Sequence, residues 1–183
     1  METQNQFAVK AFSKDQLTNS EDQRYALLIN EIRIMRNLDH PNIIHLYEVY
    51  ETENSVYLVM ELYKGKSLSD FLERVPILEE GLASTIMTGI ILGLKYLKKE
   101  RIMHRDIKPQ NILFKNKDKV IKPENIILVD FGLAQKEDDP FYIYTRCGTP
   151  GYVAPEILKA KEKTSKYNCA CDVFSAGIIL HLM

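Results

Sequence analysis

Residues 6–12, "QFAVKAF", alternate: Phe7, Val9 and Ala11 against Gln6, Ala8 and Lys10. A period of two predicts a strand. Lys10 stands in its middle, and a lysine held in an apolar strand requires a partner. The spacing of Leu27, Glu31, Ile34, Met35 and Leu38 predicts a helix over 20–37, with Ser20 and Gln23 in a capping-box pattern at its start. "DHPNII" (39–44) ends it. "IIHLYEVYE" (43–51) and "SVYLVMEL" (55–62) predict two strands of a hairpin joined through 52–54.

"YKGKS" (63–67) predicts a turn, after which Ser67 and Asp70 cap a short helix. Residues 79–100 contain no proline. Leu82, Ile86, Ile90, Leu94 and Leu97 recur there at helical spacing, which predicts a long, mostly buried helix. "NILF" (111–114) and "NIILVDF" (125–131) predict short strands around a lysine-rich loop at 115–124, whose tip is expected to be exposed. Residues 132–155 show no period. "DVFSAGIILHLM" (172–183) predicts an apolar helix.

Composition adds boundaries rather than a function. The chain has 183 residues, 45% hydrophobic, with a formal net charge of −1, which suits one domain or two small lobes. A charge so near zero gives no argument for a nucleic-acid partner. No apolar run reaches the ~18 residues of a membrane span, so no membrane segment is expected. Cys147, Cys169 and Cys171 are an odd set with one C-x-C pair. They fit free thiols in a reducing compartment better than a disulfide framework or a four-ligand zinc site. A cytoplasmic location is expected, with the nucleus also open.

Three stretches carry chemistry. "HRDIKPQN" (104–111) gathers His, Arg, Asp, Lys and Asn in a loop that Pro109 keeps from being a regular helix. "VDFG" (129–132) puts one acid at the end of an apolar strand, followed by a glycine that permits a turn. "CGTPGYVAPE" (147–156) holds two glycines and two prolines.

In this order, and preceded by the A-x-K strand, these stretches resemble the protein kinase family: H-R-D-x-K-P-x-N, D-F-G, A-P-E. The resemblance covers essentially the whole chain. It implies an α+β, two-lobed kinase-like fold, with 1–62 as part of the small N-lobe and 63–183 as part of the mostly helical C-lobe. It implies ATP as co-substrate, Mg2+ as cofactor and a protein as phosphoryl acceptor. By resemblance, Lys10 contacts the nucleotide phosphates and Glu31 is its partner. Glu31 also earns that role independently, because it lies in the apolar stripe of its helix and a buried carboxylate must be paired.

The resemblance implies further roles. Asp106, Lys108 and Asn111 are the catalytic residues: Asp106 orients the substrate hydroxyl and accepts its proton, and Lys108 stabilises the transferring phosphoryl group. Asn111 and Asp130 hold the metal through hard oxygen ligands. Backbone groups of Glu61 and Tyr63 bind adenine, with Met60 behind it, Ala8 above and Leu113 below. His104 packs on Phe131 as a structural residue. Arg105 pairs with a phosphorylated residue, for which Thr145 is the leading candidate and Tyr142 and Tyr144 are alternatives.

Lys108, two residues after Asp106, and Thr149 resemble the serine/threonine type. "TPGYVAPE" is most similar to the calcium/calmodulin-dependent kinase group. The chain also departs from the pattern. Its first glycine is Gly65, so no G-x-G-x-x-G precedes Lys10. In the family, two strands and that loop come before this position, and several helices follow the one that starts near Asp172. The expectation is a fragment truncated at both ends, with some of the apolar surface at Ile178, Ile179, Leu180 and Leu182 left open to water. Two other readings stand beside an enzyme: a kinase-derived binding module without catalysis, and an unrelated α+β interaction domain. The oligomeric state is open.

Overall fold

The computed structural model describes residues 6–15, 24–75, 77–116, 120–139, 146–160 and 166–183. The capping pattern at Ser20 and Gln23, and the candidates Thr145, Tyr142 and Tyr144, lie outside the described residues.

Strands β1 (Phe7–Ser13), β2 (Leu46–Glu51) and β3 (Ser55–Glu61) form an antiparallel sheet in the order β1-β3-β2. The register sets Lys10 opposite Leu58 and Ala8 opposite Met60. The strand predicted to start at residue 43 starts at Leu46 instead. Ile43 makes a single parallel bridge to Leu128, and the Ile44 amide donates to the Leu128 carbonyl, so both backbones are committed elsewhere. Helix α1 (Arg24–Met35) buries Leu28, Glu31, Ile32, Ile34 and Met35. Glu31 is therefore carried inward by the same stripe that packs the helix.

Helix α2 (Leu68–Leu72) is fixed by a reciprocal cap. The Asp70 amide donates to Ser67 Oγ, and the Ser67 amide donates to Asp70 Oδ2. Helix α3 (Glu80–Lys99) buries Ile86, Ile90, Leu94 and Leu97 at the predicted spacing. Gly89 lies on the same helix, where any Cβ would overlap the Pro123 carbonyl oxygen. Its bare backbone lets the next layer settle on α3.

Two small antiparallel pairs shape the loops above α3. Strand β4 (Ile102–Met103) pairs with β7 (Gln135–Lys136), and β5 (Ile112–Phe114) pairs with β6 (Ile126–Leu128). The strand predicted over 125–131 ends at Leu128. The Val129 amide turns to the Asn111 carbonyl, and Asp130 adopts φ 65°, which no strand residue uses. Helix α4 (Pro155–Lys159) and helix α5 (Ala170–Leu182) complete the described chain. On α5, Leu180 and Leu182 are about half exposed, in line with the expectation that some of this apolar surface faces water, while Ile179 is fully buried. Ile179 belongs to the core that also contains Leu58, Met60, Ile86, Leu128 and Phe131. That core runs continuously from the sheet to α5. Among the described residues, no helix is long and apolar enough to cross a membrane, and all three cysteines are free thiols.

Candidate active site

Lys10 reaches from β1 into a carboxylate pair. Its Nζ lies 2.8 Å from Glu31 Oε1 and 3.2 Å from Asp130 Oδ1. Burial opposes the Lys10 charge, but the pull of Glu31 and Asp130 outweighs it, so the ammonium is held above the ordinary lysine value. Glu31 is the more deeply buried partner. Burial pushes its carboxyl above the ordinary range, and Lys10 recovers only part of that shift. Asp130 feels burial too, yet Lys10, His104 and the Gly132 amide together hold it below the ordinary value.

The residue after Asp130 is an anchor. Phe131 is fully buried, with its ring centroid 4.8 Å from that of His104. The loop carrying His104 is shaped from the far end of the chain. Asp172, at the start of α5, accepts the His104 amide at 2.7 Å and the Arg105 amide at 2.8 Å. Those bonds hold Arg105 at φ 65°, a left-handed conformation that needs outside support in a residue with a Cβ. The Arg105 side chain is buried. Its Nε donates to the Leu133 carbonyl at 2.7 Å, and its Nη1 donates to the Tyr167 hydroxyl at 2.9 Å.

Around Asp106 the polar groups interlock. Oδ1 accepts from the Thr149 hydroxyl at 2.6 Å, and Oδ2 accepts from Lys108 Nζ at 2.7 Å and Asn111 Nδ2 at 2.9 Å. Lys108 Nζ also donates to Thr149 Oγ1 at 2.8 Å. Three donors fix the carboxylate in orientation. Outside this knot, Gln110 Nε2 donates to Ser69 Oγ at 3.2 Å and ties the loop to α2.

The connection from β3 to α2 closes the cleft behind. The Tyr63 hydroxyl donates to Glu61 Oε2 at 2.9 Å, and burial first, with Glu61 adding, raises the Tyr63 pKa. Lys115 stands 3.9 Å from the other Glu61 oxygen. A Cβ on Gly65 would overlap the Phe114 carbonyl oxygen, so only glycine lets this connection lie against β5. Met60 is buried, while Ala8 and Leu113 are half-buried.

The donor set fits a hard cation. Among the described residues, no three His, Cys, Asp or Glu side chains gather into a metal-binding group. Asn111 commits its amide nitrogen to the Asp106 carbonyl and carboxylate, leaving the oxygen as its remaining polar atom. Together with Asp130 it offers two oxygen ligands, as few as Mg2+ takes from protein when phosphates and waters supply the rest.

A lysine held by two carboxylates and a caged aspartate match a known design. The model of the protein kinase domain matches residues 1–183. The chain belongs to the protein kinase family. It is 40% identical over its whole length to mouse (Mus musculus) serine/threonine-protein kinase DCLK3, covering 22% of that protein. It is 39% identical over 96% of its length to a calcium/calmodulin-dependent protein kinase type 1 of Macrobrachium nipponense, and 38% identical over 97% to that of Caenorhabditis briggsae. It covers 48% and 46% of those two proteins. The chain thus spans half or less of the length of the curated relatives it matches. The kinase fold is a partial two-lobed α+β arrangement, and the chain is similar to serine/threonine kinases of the calcium/calmodulin-dependent group.

Two contributors to the kinase site had no local signal in the sequence. Asp172 reads as the polar start of an apolar helix, and Tyr167 as one aromatic in an aperiodic stretch. Asn42 is similar: fully buried, it donates to the Pro123 and Ile126 carbonyls at 2.7 and 2.8 Å and pins the end of the lysine-rich loop. The chemistry of "HPN" alone does not predict that reach.

Proposed function

We propose that this chain, in its full-length context, transfers the γ-phosphoryl group of ATP to serine or threonine hydroxyls of protein substrates. Its N-lobe part is residues 1–62 and its C-lobe part 63–183, with a cytoplasmic setting. The observation that carries the reading is the Asp106 cage. A carboxylate fixed by Thr149, Lys108 and Asn111 can orient an incoming hydroxyl and take its proton as the bond to phosphorus forms.

The surrounding groups take supporting roles. Lys10, steadied by Glu31, neutralises phosphate oxygens. Lys108, already beside Asp106, is positioned to offset charge on the transferring group. Asn111 and Asp130 would hold Mg2+, which when bound supplies charge neutralisation of the phosphates. Backbone groups of Glu61 and Tyr63 would meet adenine, packed between Ala8 and Leu113 with Met60 behind.

The direct test is transfer of labelled phosphate from ATP in the presence of Mg2+ to a serine peptide and its threonine and tyrosine counterparts. Labelled serine and threonine with blank tyrosine is the expected result. ATP binding without transfer to any peptide would replace this reading with that of a nucleotide-binding module.

A further inference from the structure

The Lys10–Glu31 pair needs α1 at one rotation and one distance from β1. The apolar face of α1, Leu28, Ile32, Ile34 and Met35, is non-directional and does not choose that setting alone. A second polar contact sits one residue away. Asn30 is buried, its Nδ2 donates to the Ala134 carbonyl at 2.8 Å, and its Oδ1 accepts from Arg33 Nη2 at 2.9 Å. The same Arg33 nitrogen donates to Asp139 Oδ2 at 2.8 Å.

We infer that Asn30 and Arg33 are positioning residues that set the Lys10–Glu31 pair by latching α1 to the segment on either side of β7. This rests on the proposed nucleotide role of that pair, although the latch itself is independent of turnover. Ala134 and Asp139 bracket β7, β7 pairs with β4, and β4 leads directly into His104–Asp106. The latch therefore references Glu31 to the same small sheet that carries Asp106. An amide is the side chain that suits position 30, since it must give a proton to a carbonyl and take one from a guanidinium. A carboxylate there would face the Ala134 oxygen with no proton to give.

Lys10 itself reports the setting. Acetylation of its amine by an N-hydroxysuccinimide ester, read by mass spectrometry as a ratio to exposed Lys159, measures how well the pair shields it without nucleotide or substrate. Glu31→Gln sets the upper limit of the ratio. Arg33→Ala and Asp139→Asn are expected to raise it about threefold, the size of a partly exposed ion pair. Arg33→Lys keeps a donor for both acceptors and is expected to stay near the parent. Asn30→Leu is expected to behave like Arg33→Ala. Should Asn30→Leu lose cooperative thermal unfolding, Arg33→Ala decides alone, because that side chain is 55% exposed and its loss leaves the core intact.

An Arg33→Ala ratio equal to the parent's, or Ala and Lys variants that behave alike, overturns the inference. So does a Glu31→Gln ratio equal to the parent's, because there would then be no shielding to set. Absence of phosphoryl transfer by the parent would overturn the proposed function while leaving this labelling result standing.

Discussion

The Thr149 hydroxyl donates to Asp106 Oδ1 at 2.6 Å across 43 positions of sequence. One hydroxyl thereby ties the loop before α4 to the proposed catalytic carboxylate, and it also accepts from Lys108. Thr149→Ser keeps the bond and should retain most activity. Thr149→Val keeps the shape and loses the bond. A hydrogen bond to a charged group contributes about 1.5–3 kcal/mol, so kcat should fall roughly 10- to 100-fold. The ATP KM should change little, because the bond that is lost is to Asp106, whose proposed role is toward the acceptor hydroxyl. Steady-state kinetics of both variants check this, and equal kcat for Ser and Val would contradict it.

Asp106→Asn retains the volume and removes the proton acceptor. Transfer should drop by about 100- to 10,000-fold, the usual contribution of a general base. Binding of a fluorescent ATP analogue should stay close to that of the parent. Parallel loss of binding would mean that Asp106 acts on the nucleotide rather than on the acceptor hydroxyl.

Glu31 and Asp130 flank one lysine yet shift in opposite directions. Carboxyl carbon NMR titration should show a Glu31 midpoint above 4.5 and an Asp130 midpoint below 3.8. The stability consequences follow from those signs. Asp130 contributes stability above pH 3.8, lost as pH falls through its lower folded value. Glu31 works the other way: the folded chain takes up its proton first, so stability declines as pH rises from 4.5 through the raised value. Lys10 contributes below pH 10.5 and loses that contribution as pH climbs through its own raised value. An Asp130 midpoint above that of Glu31 would invert the assignment.

Asp172→Asn replaces a two-oxygen acceptor with one oxygen and an NH2 facing a backbone amide. One of the His104 and Arg105 amides is then left unpaired in a buried setting. The expected loss is about 2–3 kcal/mol, measured as a lower urea midpoint with an unchanged slope. Loss below about 0.5 kcal/mol, the size of an ordinary surface substitution, would show that the loop holds its shape without Asp172.

Legibility of this fold from sequence tracks periodicity. Glu31 was readable because it sits inside a helical pattern that declares which way the side chain faces, whereas the alternation around Lys10 points the other way: Phe7 and Val9 are exposed and Lys10 is the half-buried residue between them. Asp106, Lys108 and Asn111 were readable from density, five polar functions in one loop. Where backbone partners come from afar, the pattern gives no warning. Ile43 and Ile44 look like strand residues but bond to Leu128, and Asp130 looks like a strand end but lies in a left-handed turn. Asn30 and Arg33 interrupt the apolar stripe and look like solvent positions, although the first is buried.

Asp172 follows the amides it holds by 68 and 67 positions. On a ribosome adding roughly 5–20 residues per second, that separation corresponds to about 3–14 s of synthesis. In the later part of that interval a nascent chain already contains Lys10, Glu31, Asp106 and Asp130, with Asp172 not yet made to bend the loop between Met103 and Asp106. Long-range closure of this kind is slow to form and is formed late. The reactive geometry of this chain therefore waits on Asp172, which is made after the groups it arranges, and a chain stopped before it carries the chemical groups without their arrangement.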